Sequence, residues 1–344
     1  MFKGLKLLPQ WQRRLIFIAI FGGGIVALVA CTLFLITQTL FVSRSAAVAL
    51  IPEVSVREYA ALPDDNAYPP TIAASADGTL YTGSFASGAV WQISPDGSIS
   101  EIPNTRNQIG GVSGIAIAPD GALLITDNGD TDPRTQGGAV WRVTPTGDIR
   151  AFARINDAGG FVAPDDVAVD GSGAVYITDR GRNEVWRFNA NGSEGRLWWV
   201  PPVGETAQRR GITGIAYDPT RDAMIIADAE INELYRVAIT GGATETLYRH
   251  GNREFPPGFD GITVTPDGIV YIAALGQNGI ARLGDGELDY VAGLFRGASD
   301  VDYNQGRLYV TNFDQTSLVL PVRPALPFAI DVIEFITATP TAGG

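Results

Sequence analysis

Apolar and polar residues alternate with a period of two over short stretches separated by turn residues, and the pattern recurs six times. The copies begin TIAASADGTLYTGS at 71, GIAIAPDGALLITDN at 114, DVAVDGSGAVYITDR at 166, GIAYDPTRDAMIIADA at 214, GITVTPDGIVYIAAL at 261 and DVDYNQGRLYVTNF at 300. Such alternation marks strands with one buried face, and Asp-Gly between two runs marks a tight hairpin. From Ile72 to Val301 the five intervals span 229 residues, about 46 apiece, the period of a four-stranded propeller blade. The pattern predicts an all-β fold: a six-bladed β-propeller over residues 52–335.

The third strands align as VWQI at 90, VWRV at 140, VWRF at 185, LYRV at 234, IARL at 280 and LVL at 318. Trp91, Trp141, Trp186 and Tyr235 recur at one blade position, which predicts wedge packing between neighbouring sheets rather than a binding stripe. Fourth strands follow near 99–102, 149–152, 197–200, 244–248 and 288–291, but none follows the sixth copy. Residues 54–59 (VSVREY) carry the same alternation. They are predicted to form the outer strand of the last blade, closing the ring and removing an exposed edge. Residues 330–335 (IDVIEF) compete for that place or add a further edge strand.

Ahead of the repeats, residues 15–42 run 28 positions without a charge, about 42 Å as a helix against a hydrocarbon core of about 30 Å. Lys3, Lys6, Arg13 and Arg14 precede the run and Arg44 follows it. The positive-inside rule therefore places residues 1–14 in the cytoplasm and the chain after the span outside. A retained signal anchor is favoured; lipidation at Cys31, in LVAC, and cleavage after Ala47-Val48-Ala49 are the alternatives. Residues 43–51 read as a linker, and 336–344 (ITATPTAGG) as a disordered tail too poor in apolar residues to pack.

A net charge of -12 argues against a nucleic-acid partner, because phosphate contact needs a basic surface. One cysteine excludes an intrachain disulfide, and the single histidine, His250, leaves no Cys/His cluster for zinc.

The unit PDDVAVDGSGAVYITDRGRNEVWRF resembles NHL-type propeller repeats. GFDGITVTPDGIVYIAALGQNGIARL resembles the SMP-30/gluconolactonase/LRE-like family, and the likeness covers about residues 52–321. The family includes calcium- or zinc-dependent lactonases and esterases, whereas NHL-type propellers are often binding modules. VWQISPDGSISEIP is also similar to virginiamycin B lyase, whose chemistry needs more histidine than this chain has.

In a propeller the start of each innermost strand points into the central channel on the ligand face. The position two residues before the first apolar residue of each repeat is occupied by Pro70, Ser113, Asp165, Thr213, Asp260 and Ser299. Thr71, Gly114, Asp166, Gly214, Gly261 and Asp300 follow directly. Asp165, Asp166, Asp260 and Asp300 are thus predicted to converge on one mouth. Their oxygens suit a divalent metal, calcium foremost, which would polarise a carbonyl and activate water. The resemblance implies metal ligands from a Glu in blade one, an Asn in blade four and an Asp in blade five, and a substrate-contacting Asn in blade three. The equivalents here are Pro70, Thr213, Asp260 and Asp165, so only the blade-five Asp is kept. A rearranged metal set of Asp165, Asp260 and Asp300 is the alternative.

Asp165 and Asp260 are catalytic candidates, with His250 as a base that titrates near neutral pH, although a lone loop histidine is more often incidental. Asp166, Thr213, Ser113, Arg210 and Asp300 are candidate substrate contacts. Arg209, Arg210, Arg253 and Arg296 lie in loops leading to inner strands and either balance the mouth acids or pair with a substrate carboxylate. The long blade-two loop carries Asp127, Asn128, Asp130 and Asp132; its spacing is not that of an EF-hand, and a solvated turn is favoured over a calcium loop or lid. Asp127, Asp179 and Asp228 share one repeat position, which suggests turn capping. Two functions follow: a membrane-tethered, metal-assisted hydrolase of a lactone or ester, or a non-catalytic propeller that binds a small molecule, glycan or protein outside the cell.

Overall fold

The computed structural model describes residues 9–40, 46–129, 137–155, 159–202, 211–251, 253–320 and 322–336. It divides into two compact units, one holding the N-terminal helix together with Thr316–Ala325, the other holding the repeats. The helix spans Gln10–Leu40, and its stretch Gln10–Phe34 has a mean hydropathy of 2.5, apolar and long enough to cross a membrane.

The second unit is a six-bladed β-propeller of six antiparallel sheets. The innermost strands are Ile72–Ala74, Val112–Ile117, Pro164–Val169, Ile212–Asp218, Phe259–Val264 and Ala298–Asn304. Each pairs with the next strand in sequence, so the blades are four-stranded meanders. Apolar side chains of neighbouring sheets fill the wedges between blades; Trp91 and Tyr235 are each 1% exposed, as wedge packing requires.

Antiparallel order fixes which loops share a face. Connections into inner strands, and those from second to third strands, lie on the rim where the inner strands begin, called here the upper face. The tight turns lie on the opposite, lower face. There Asp77, Asp96, Asp170 and Asp218 each accept an N–H two residues on, at 2.8 to 3.0 Å. Gly78, Gly121, Gly173 and Gly268 take the positive φ, 82° to 90°, that these turns demand.

The ring closes as the alternation of residues 54–59 predicts. Val54–Ala61 is the outer strand of blade six, with Val54 opposite Phe335 and Ala61 opposite Ala329. The third strand of that blade departs from the sequence reading. Gln315–Val319 is a short helix, and Ala329–Phe335 fills the third-strand place between Arg307–Asn312 and the closing strand. Leu318, Val319 and Leu320 are apolar but too few to pay for strand pairing when a seven-residue, mostly apolar run competes for the same ladder. Val48–Ala49 adds a fifth strand to the outer edge of blade five.

Candidate functional site

The two ring positions read from the sequence face the channel mouth: Pro70, Thr71, Ser113, Asp165, Asp166, Gly214, Asp260, Gly261, Ser299 and Asp300 line one small cavity there. Below it, a cavity of about 270 Å³ runs down the axis between the inner strands and is bordered by Asp166, Asp300 and Asp302.

Most of the polar side chains in this ring join one blade to the next. At the first position the even blades carry hydroxyls. Ser113 Oγ lies 2.9 Å from the Pro164 carbonyl, Thr213 Oγ1 3.2 Å from that of Phe259, and Ser299 Oγ 3.3 Å from that of Pro69. Each bond crosses to the following blade. At the second position, the Ile115 N–H donates to Thr71 Oγ1 at 3.1 Å and the Ile215 N–H to Asp166 Oδ2 at 2.9 Å. Asp300 Oδ2 accepts the Ile72 N–H at 2.8 Å and the Thr71 hydroxyl at 2.9 Å. The other oxygens of Asp166 and Asp300 accept the N–H of the residue that follows each. Glycine elsewhere at this position makes room: a Cβ on Gly214 would lie 2.1 Å from the Asp260 carbonyl oxygen.

The odd blades carry Pro70, Asp165 and Asp260 at the first position, and among the described residues these side chains make no hydrogen bond that joins blades. Asp165 Oδ1 lies 3.9 Å from Arg180 Nε, an arginine whose side chain is 49% exposed. Burial pushes the Asp165 carboxyl up, against the pull of Arg180 and with a further push from Asp179. Burial pushes Asp260 well above the ordinary value, Asp165 raises it further, and Arg180 opposes both. Desolvation lifts Asp166 to about 7 and Asp302 to about 6 despite the amides that each accepts. The axis of the propeller is thus a column of carboxyls whose pKa values are raised by burial, with Arg180 beside its upper end.

Arg180 and Asp302 were not singled out from the sequence. Asp302 was within reach, since it lies two residues after Asp300 and so on the same strand face. Arg180 follows the capping Asp179 in a loop, where no periodicity marks it.

Other candidates fall elsewhere. His250 follows the outer strand of blade four, is buried, and has both ring nitrogens engaged, Nδ1 3.0 Å from the Tyr248 hydroxyl and Nε2 3.2 Å from the Arg253 carbonyl. It lies at the outer strand and not among the residues that line the mouth, so it does not serve as a base there. Arg253 pairs with Glu287 at 3.0 Å instead of with the mouth acids, and Arg296 donates to the Pro327 carbonyl at 3.2 Å. Arg209, Arg210, Asp130 and Asp132 lie outside the described residues. Asp127, Asp179 and Asp228 cap loops as their shared position suggested, accepting N–H groups of Gly111, Ala163 and Gly211 at 2.9 to 3.1 Å.

Calcium needs about six to eight oxygens. Asp300 has both oxygens engaged, Oδ2 by Thr71 and Ile72 of the next blade and Oδ1 by the Val301 N–H of its own strand, Thr213 donates to a carbonyl, and Pro70 offers no side-chain oxygen. Among the described residues no group of three or more His, Cys, Asp or Glu side chains is arranged to hold a metal ion. The metal set of Asp165, Asp260 and Asp300 therefore does not fit: Asp300 is a blade-joining residue, and the two acids left over are too few.

No protein-family model matches the chain, and no curated protein does. Solved structures do. The chain is similar to virginiamycin B lyase from Staphylococcus aureus, at 17% identity over 83% of this chain and 100% of that one, with a TM-score of 0.58. It is similar to a gluconolactonase from Xanthomonas campestris at 17% identity, 85% and 99% coverage and a TM-score of 0.60. A regucalcin from Agrobacterium tumefaciens, described as calcium-binding, aligns at 15% identity over 79% of this chain and 94% of its own, with a TM-score of 0.58. The group that the repeats resemble is thus represented among the structural neighbours, and at these identities the likeness establishes the propeller fold.

Proposed function

We propose that this chain is a membrane-tethered, extracytoplasmic propeller that binds a small polar molecule at its upper mouth, with Asp165 and Asp260 as the contacting carboxyls and Arg180 tuning their charge. One observation carries the reading. The hydroxyls and the other two acids of the mouth are committed to joining blades, and Asp165 and Asp260 are left facing the opening. A carboxyl with a raised pKa both donates and accepts hydrogen bonds, which suits a hydroxyl or carbonyl group on a ligand. The basic residues before the apolar helix support an extracytoplasmic propeller.

Hydrolysis of a lactone or ester is the second reading, and the same pair favours it. A carboxyl whose pKa is raised by burial delivers a proton to a departing alkoxide more readily than an ordinary one, and an ionised partner takes one from water. The full chain in detergent micelles, screened with lactones and aryl esters with and without calcium, separates the two. Binding without turnover, lost in Asp165→Asn and Asp260→Asn, is the result expected. Turnover without calcium that is lost in the same variants would replace the binding reading with a hydrolase that uses the two carboxyls, and calcium-dependent turnover would overturn the fit of the site argued above.

A further inference from the structure

The strand Val48–Ala49 shows where the tether joins the propeller. Val48 pairs with Gly293 and Ala49 with Ala292, and the Leu50 N–H donates to the Val291 carbonyl at 2.9 Å. Gly293 is the last residue of the outer strand Leu288–Gly293, which ends at the upper face. The chain coming from the apolar helix therefore meets the propeller at the rim of the face that carries the mouth. It runs downward along blade five before turning up into the closing strand.

The same face carries exposed apolar side chains on four separate loops: Phe255 at 74%, Leu294 at 61%, Val200 at 50% and Leu326 at 39%. They come from blades three to six, so no single hydrophobic core explains them. Phe255 and Leu294 also hold a left-handed backbone, with φ of 60° and 62°, a conformation that bulky residues seldom adopt. The lower face is built differently, from the turns of Asp77, Asp96, Asp120, Asp267 and Asp285. Ile336 is the exposed large apolar residue at that end among the described residues.

We infer that the upper face rests on the bilayer, with the apolar loop tips in the headgroup region and the mouth opening toward the lipid. An apolar loop tip beside a membrane tether gains by leaving water, and acidic turns on the opposite face stay hydrated. The inference rests on the membrane tethering proposed above.

The test uses the full chain with Cys31→Ser, reconstituted into phosphatidylcholine/phosphatidylglycerol vesicles. A fluorophore is placed by Phe255→Cys, by Leu294→Cys, or by Asp285→Cys on the lower end of the same blade as Leu294. Flotation of the vesicles reports the tether, and quenching by headgroup-nitroxide lipid reports the face. Flotation with loss of fluorescence at 255 and 294 but not at 285 is the expected result. Flotation with equal quenching at all three positions, or with none, overturns the docking inference and leaves the tether intact; failure to float overturns both. Mutual quenching of the 255 labels without lipid quenching would assign the face to a second copy of the chain. Hydrogen exchange of the upper loops in the unlabelled chain, compared between vesicles and detergent, checks that labelling has not disturbed the fold: protection confined to those loops supports docking, and its absence counts against it.

Discussion

Asp300 of the last blade accepts the Ile72 N–H of the first at 2.8 Å, and the Thr71 hydroxyl at 2.9 Å. A propeller has one seam where the chain must find its own beginning, and this carboxyl bonds across it on the channel side. Asp300→Ala leaves the Ile72 and Thr71 donors without their acceptor in a buried place. The expected loss is about 2–3 kcal/mol, moderated because the carboxyl itself is costly to bury. Denaturant midpoints of the full chain in detergent measure it; a variant with the parent's midpoint would show that the seam does not depend on these bonds.

The carboxyl column predicts an unusual pH dependence. Asp166 and Asp302 have folded-state values of about 7 and about 6, against an ordinary 3.8, with burial as the leading cause. The folded state therefore holds more protons than the unfolded chain between about pH 4 and 7, and the slope of stability with pH is negative there. Their contribution is greatest near pH 4 and falls as pH rises through 6 and 7. Thermal melts at pH 5 and pH 8 should show the higher Tm at pH 5, and Asp166→Asn with Asp302→Asn should reduce the difference, the other buried acids of the column keeping the rest. A higher Tm at pH 8 in the parent chain would contradict the burial argument.

The repeats were legible because a period-two pattern and Asp-Gly turns are local signals, and so was the list of residues facing the mouth. Their roles were not. Asp165 and Asp166 are adjacent in sequence, yet one faces the opening beside Arg180 and the other holds the Ile215 N–H of the next blade. That division depends on which residue the neighbouring blade presents, a contact 49 residues away. The last blade was misread for a similar reason. Residues 318–320 resemble a third strand in composition, but Ala329–Phe335 offers a longer ladder to both Arg307–Asn312 and Val54–Ala61.

Among the described residues Arg180 supplies the ion pair at the mouth, at 3.9 Å from Asp165. Arg180→Gln should raise the Asp165 carboxyl further, since the guanidinium is what holds it down against burial. Titration of the labelled side-chain carboxyl by NMR would show the upward move. Stability should change by less than about 1 kcal/mol, because the arginine is half exposed and solvent screens the pair. An unmoved Asp165 titration would mean that the guanidinium does not act on this acid.

The closing strand sets the strongest test of the architecture. Val54 is 4% exposed and packs in one apolar cluster with Val291, Val310 and Ile333, so it anchors the strand to both blade five and blade six. Val54→Asp places an unpaired carboxyl in that cluster and should cost about 3 kcal/mol or more. Deleting residues 54–61 goes further, because it strips the outer strand from Ala329–Phe335 and leaves that strand's edge open to pairing with other chains. The deleted chain should melt broadly and aggregate, whereas a propeller closed by other means would keep one sharp transition. Since Val54→Asp leaves the length of chain between the tether strand Val48–Ala49 and blade one unchanged, a loss of cooperativity in that variant would be assigned to the seam and not to the membrane connection.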